Sequence, residues 1–396
     1  MEVAKSNRKH IGLFGRTNVG KSTIFNLITG QDISIISNIK GTTTDVVEKT
    51  LELSSLGPVV VFDTAGLDDE SILGEERRNK THKVFERCDI ACIIVEDNLW
   101  AESEDQLVDS LNKNKIPFIL IYNEKKLGSS AVLRDKLNYS SMIYNSNITR
   151  DAFLTEFTNL VKKKLNVDSE AEIGIFDDIL TSKQTCIFVT PIDSGAPKGR
   201  LIMPQVQALR AALDLGIISL VVQPNELENT LNTLKYKPDL VVCDSQAVKF
   251  VIEHIPEDIK ITTFSILFSR LKGGLYEELK GANTIDSISK TDKILIAEAC
   301  THHSQKDDIG TIKIPNLLKK YLGFSPNITH IHGHDFPNDL DTYKLIIHCG
   351  ACMLTRKEKL NRIAKAKQSE VAITNYGMAI SYLNGYLKRT SEIFIK

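Results

Sequence analysis

Gly15-Arg16-Thr17-Asn18-Val19-Gly20-Lys21-Ser22 has the G-x-x-x-x-G-K-S spacing of a phosphate-binding loop. Glycines let backbone N–H groups approach phosphate oxygens, and a helix starting there adds favourable positive potential. Lys21 is typed to reach the β- and γ-phosphates, and the Ser22 hydroxyl can ligate Mg²⁺. Asp63-Thr64-Ala65-Gly66 supplies an acid for the Mg²⁺ shell and a glycine whose N–H can sense the γ-phosphate. Far along the chain lie Cys300-Thr301-His302-His303 and His348-Cys349-Gly350-Ala351-Cys352. The C-x-x-C turn presents two thiolates to one ion or cluster. Three cysteines with one histidine suit Zn²⁺, and three cysteines with a replaceable fourth position suit a 4Fe-4S cluster. Asp307 and Asp308 could add an oxygen ligand or be loop charges, and His330, His332 and His334 read as one exposed strand face.

These groups need a scaffold. The apolar runs 11–14, 59–62, 90–95 and 118–122 read as buried strands, with a helix over 22–29. Strands alternating with helical patterns imply a mostly parallel sheet. Further strands are expected at 187–190, 218–222, 240–243, 293–297, 343–347 and 371–374, those at 218–222 and 240–243 buried. Helices are expected near 201–213, 226–234, 247–254 and 353–367. In a parallel sheet, the loops holding Cys300 and Cys349 would sit at its carboxyl edge, where ligands bind. The fold class is α/β in three domains: a P-loop GTPase over 1–167, then two smaller parallel-sheet domains over 173–262 and 263–396.

The bulk composition narrows the function. The 396 residues carry 49 basic and 50 acidic side chains, a net charge of -1, which argues against a nucleic-acid-binding surface. There is no signal-peptide pattern and no apolar run near the roughly 20 residues a bilayer requires, so a cytoplasmic protein off the membrane is expected. Cys88, Cys92, Cys186 and Cys243 lie in apolar or amphipathic segments and read as small buried hydrophobes.

Gly41-Thr42-Thr43-Thr44-Asp45, lying between the P-loop and the D-T-A-G-L at 63–67, resembles the first switch of the TrmE–Era GTPases. Leu67 stands where Ras-like proteins place a water-orienting glutamine, and an apolar side chain cannot orient water. The resemblance implies a K⁺ ion held by Asn18 and a glutamate in the second switch; Glu75 is placed for that role, or is a solvated helix charge. It implies nucleotide contacts at Gly15, Asn18, Val19, Gly20, Lys21, Ser22, Thr23, Thr43, Thr44, Asp63, Gly66 and Asn123, with Ser22, Thr44 and Asp63 around Mg²⁺ and Lys21 and Glu75 catalytic. The base-recognition sequence departs from N-K-x-D: it reads Asn123-Glu124-Lys125-Lys126, and a lysine cannot accept from guanine. The last GTPase motif is matched poorly, by Asn145-Ser146-Asn147.

With the GTPase part, the segment Gly199-Arg200-Leu201-Ile202-Met203-Pro204-Gln205-Val206-Gln207 and the C-x-H…H-C-x-x-C pattern, the whole chain resembles HydF, the maturation GTPase family of FeFe-hydrogenase. The resemblance implies a scaffold that binds a 4Fe-4S cluster through Cys300, Cys349 and Cys352, with His302 and His348 as ligands or neighbours of ligands. It implies a transient 2Fe subcluster received from radical-SAM maturases and passed to apo FeFe-hydrogenase. GTP hydrolysis would modulate these encounters, and the middle domain would make a homodimer. The competing expectation is a TrmE/Era-type GTPase of tRNA or ribosome processing with a structural zinc site.

Overall fold

The computed structural model describes residues 8–30, 47–53, 56–64, 66, 84–85, 87–165, 174–192, 201–299, 308–333, 336–337, 339–350 and 354–395. The chain divides into two compact units, Met1–Ala171 and Glu172–Lys396.

The first unit is built on a six-stranded sheet. Its strands are β1 (Lys9–Phe14), β2 (Val47–Leu53), β3 (Gly57–Asp63), β4 (Ile90–Glu96), β5 (Phe118–Asn123) and β6 (Ser141–Tyr144), in the order β2-β3-β1-β4-β5-β6. All pairings are parallel except β2 with β3. Residues 90–95 of β4 are buried without alternation, as a strand covered on both faces requires. Around the sheet lie α1 (Lys21–Thr29), α2 (Glu102–Lys113), α3 (Ala131–Leu137) and α4 (Arg150–Leu165). Ile11, Leu13, Ile24, Ile28 and Phe157 fill one face, and Phe14, Phe62, Ile93 and Tyr122 the other. Each such side chain contributes about 1.5–3 kcal/mol by leaving water.

The second unit holds two four-stranded sheets, both wholly parallel. One orders β10 (Ile261–Thr263), β9 (Leu240–Cys243), β7 (Thr185–Val189) and β8 (Ile218–Val222). The other orders β12 (Asn327–His332), β11 (Lys293–Glu298), β13 (Leu345–His348) and β14 (Ala372–Asn375). The sheets share a core in which Ile187 and Val241 belong to the same cluster as Ile296 and Ile347. The strand Ile261–Thr263 is one edge of the first of these sheets. The expectation of a buried strand over 218–222 is corrected: β8 is the other edge, with Ile218 52% and Val221 47% exposed.

Strand order places the sites. In the first sheet β1 lies between β3 and β4, so successive connections leave it on opposite sides and a crevice opens at its carboxyl end. In the last sheet the same reversal lies between β11 and β13. β1 runs into the P-loop, and β11 and β13 run into the two cysteine segments.

Candidate functional site

The P-loop is held open by its own backbone. Gly15 and Gly20 both have positive φ, and a Cβ at Gly20 would strike the Asn123 side chain. Asn18 is left-handed at φ 64 and exposed, a conformation asparagine tolerates. Lys21 is buried, with Nζ donating to the carbonyls of Gly15 (3.1 Å) and Arg16 (2.7 Å). Asn123 Nδ2 donates to the Val19 carbonyl at 2.9 Å, tying the end of β5 to the loop. Gly66 lies against Thr17, where a Cβ would collide with its backbone and hydroxyl. Ser22 and Thr23 are exposed on the first turn of α1.

Asp63 and Ser22 meet at 3.1 Å, hydroxyl to Oδ2. The other carboxylate oxygen, Oδ1, is buried and has no hydrogen-bond partner among the described residues. Burial pushes the Asp63 carboxyl up, while Ser22 and Lys21 pull it down. An orphaned anionic oxygen beside a hydroxyl is a donor set that fits Mg²⁺. Thr43, Thr44 and Glu75 lie outside the described residues.

Arg16, which the sequence reading did not single out, anchors the loop. Its Nε donates to Glu104 (2.8 Å) and its Nη2 to the Leu99 carbonyl (3.0 Å). Glu104 is fully buried and also accepts from the Ala101 N–H at the start of α2 (2.9 Å).

At the second crevice, β11 and β13 pair with Ala297 opposite His348. The Cys349 N–H donates to the Ala297 carbonyl at 2.9 Å, and the Ala299 N–H donates to Cys349 Sγ at 3.3 Å. Ala299 directly precedes Cys300. Backbone N–H···S contacts of this kind surround metal-bound sulfurs, so the Cys349 environment fits a metal–sulfur ligand. Cys300, His302 and Cys352 lie outside the described residues. Among the described residues no three His, Cys, Asp or Glu side chains are grouped to hold a metal ion.

His348 and Cys349 leave the strand end on opposite faces. Cys349 joins the core with Ile296 and Ile347. His348 faces a buried polar cluster: its Nε2 bonds Glu278 Oε1 at 2.7 Å, and Nδ1 has no partner among the described residues. The same carboxylate takes Lys359 Nζ (2.8 Å), Ser269 Oγ (2.5 Å) and Asn375 Nδ2 (2.5 Å). Burial opposes the Glu278 charge, yet Lys359 and His348 outweigh it and hold the carboxyl well below the usual range. On the Cys349 face, Glu298 accepts from Tyr376 Oη at 2.8 Å and pairs with His332 at 3.1 Å. A Cβ at Gly310 would collide with both Glu298 and Tyr376. Asp308 caps the π-helical turn Ile309–Lys313 through the Thr311 N–H, as a loop charge can. Glu278, Glu298 and Tyr376 were not visible as site residues in the sequence, and no local motif marks them.

Two family models cover residues 175–273 and 276–393, described as the hydrogen maturase F dimerization domain and the hydrogen maturase F tetramerization domain. Together they span more than half of the chain. The chain belongs to the HydF family. Within this HydF chain, residues 10–124 match the 50S ribosome-binding GTPase model and form a GTPase domain. Curated relatives include the tRNA modification GTPase MnmE of Coxiella burnetii, 31% identical over 129 residues, 32% of this chain and 28% of that protein. The probable tRNA modification GTPase MnmE of Cyanidioschyzon merolae is 36% identical over 132 residues, 33% and 28% of the two chains. GTPase Der of Nitratiruptor is 25% identical over 253 residues, 57% and 54% of the two. The chain thus spans less than two thirds of these relatives' lengths. Solved structures that match include the G domain of T. maritima FeoB (TM-score 0.30, 20% identity, 41% of this chain and 100% of that one). Aquifex aeolicus Era bound to GDP and AlF4⁻ also matches (TM-score 0.33, 16% identity, 58% and 98%). Among the described residues, no helix is long and apolar enough to cross a membrane.

Proposed function

We propose that this chain is a scaffold and carrier in FeFe-hydrogenase maturation. It holds a 4Fe-4S cluster on Cys300, Cys349 and Cys352, receives a 2Fe unit as cargo from radical-SAM maturases and delivers it to apo-hydrogenase. The observation that carries this reading, beside family membership, is the Ala299 N–H on Cys349 Sγ at 3.3 Å. It brings the strand leading into Cys300 against the first thiol of the C-x-x-C turn, at a strand-order reversal where ligands bind.

The first unit hydrolyses a purine nucleoside triphosphate, GTP by family, and its nucleotide state times the encounters with partners. Lys21 offsets phosphate charge, the P-loop amides orient it, and Ser22 and Asp63 hold Mg²⁺. Mg²⁺ held by these two residues would supply neutralisation of phosphate charge. Asn18, exposed on the P-loop, would hold a K⁺ ion, which would supply positive charge beside the phosphates. A homodimer forms through the apolar edge strand β8, because Ile218 and Val221 lie on an open sheet edge.

The test is anaerobic reconstitution with iron and sulfide, then EPR of the reduced protein beside Cys300→Ser. A fast-relaxing S = 1/2 signal lost in the variant supports the scaffold. Bound zinc without a cluster would move the chain to an RNA-processing GTPase with a structural metal.

A further inference from the structure

The loop after β5 holds the position of the base-recognition motif, and Asn123 at its start is tied to the P-loop through the Val19 carbonyl. An aspartate at the fourth position of N-K-x-D accepts from guanine's N1–H and 2-amino group. Lys126 occupies that position here and is exposed. A carboxylate from a neighbouring position could substitute, and three lie beside the loop: Glu96, Asp97 and Glu124.

Each is committed elsewhere. Glu124 turns inward, 5% exposed. It accepts from the Gly128 N–H (3.1 Å), the Ser130 N–H (3.1 Å) and the Ser130 hydroxyl (2.5 Å), so it caps the start of α3. Glu96 pairs with Lys125 Nζ at 2.5 Å. Asp97, left-handed at φ 48, accepts from the Lys125 N–H at 2.9 Å and from the Ser129 hydroxyl. The Ser129 hydroxyl and the loop amides hold its carboxyl below the usual range, so it stays an acceptor for the loop itself.

The group at the base-reading position is therefore an ammonium, with three donors and no acceptor. Against guanine it sets donor against donor, so the site gains none of the hydrogen bonds that an aspartate would accept from N1–H and the 2-amino group. Against a purine presenting an acceptor there, it forms a charge-assisted hydrogen bond. Asn123 Nδ2 donates to the Val19 carbonyl, and Lys21, Ser22 and Asp63 are placed for phosphate and metal, so Lys126 is the charged group at the base-reading position that departs from the guanine-reading pattern.

We infer that Lys126 turns this site toward a purine nucleoside triphosphate whose base offers an acceptor where guanine offers N1–H and the 2-amino group, the 2-carbonyl of xanthine or N1 of adenine. The inference rests on the nucleotide reading above and sets its base preference.

The test is calorimetric titration of the full chain, with Mg²⁺, by non-hydrolysable analogues of GTP, ITP, XTP and ATP, repeated on Lys126→Asp. XTP, ATP or both should bind about tenfold or more tighter than GTP, and Lys126→Asp should reverse that order. Tight XTP alone assigns the 2-carbonyl, and tight ATP alone assigns N1. GTP binding as tightly as the others or tighter, or an order unchanged in Lys126→Asp, overturns the inference and leaves the nucleotide reading standing. No binding of any triphosphate removes both. Because Lys126 is exposed, an unchanged melting temperature shows that the variant is folded.

Discussion

Glu278 and Lys359 meet at 2.8 Å inside the second unit, at 0% and 2% exposure. The pair belongs to the cluster that also holds His348, the last residue of β13, so it fixes the strand end that carries Cys349. Removing one partner strands the other charge in a medium that cannot solvate it. Glu278→Ala should therefore cost about 3–5 kcal/mol, read as a lower urea midpoint. Combining it with Lys359→Met should recover part of that loss, since no isolated charge then remains. A double variant no more stable than Glu278→Ala would mean the pair is not what holds this region.

Lys21→Ala should lower nucleotide hydrolysis by at least about 100-fold while leaving the reconstituted cluster signal unchanged. Lys21 hydrogen bonds lie within the P-loop, in a unit distinct from the cysteine segments. Loss of the cluster in this variant would show that the two activities are not separable.

Hydrolysis should run faster in K⁺ than in Na⁺ at equal ionic strength. Asn18 is exposed on the P-loop, left-handed at φ 64. Asn18→Ala should abolish the difference. Equal rates in the two salts for the wild type would take Asn18 out of that role.

Val221→Lys should weaken self-association. Val221 is 47% exposed on the edge strand β8, and a charge there opposes strand pairing. Sedimentation velocity should show a smaller species at concentrations where the wild type is assembled. An unchanged sedimentation coefficient would place the dimer contact elsewhere.

Cys92, Cys186 and Cys243 are fully buried, and burial pushes their thiols up. Iodoacetamide should leave all three unmodified in the native protein and label them only after unfolding, as mass spectrometry can show. Rapid native labelling would contradict the core role read for them from their apolar surroundings.

The phosphate loop was legible in the sequence because its chemistry is local. Gly15, Gly20, Lys21 and Ser22 act through one turn of backbone, and spacing alone specifies that turn. Short apolar runs likewise announced β1, β3, β4 and β5. An apolar run does not say whether a neighbouring strand will cover it, so β8 read as buried and proved to be an edge. Lys126 was visible as a departure, but only the fold showed that Glu96, Asp97 and Glu124 are engaged and cannot stand in for the missing aspartate. Glu278 and His348 are 70 positions apart in the chain. Their meeting depends on the helix Leu275–Ala282 packing beside the sheet of β13, a contact set by strand order and shared core. Local residue types determine which chemistry a segment can perform. Which distant groups satisfy or block that chemistry is decided by tertiary packing, because a buried polar atom takes whatever partner the fold brings within hydrogen-bond reach.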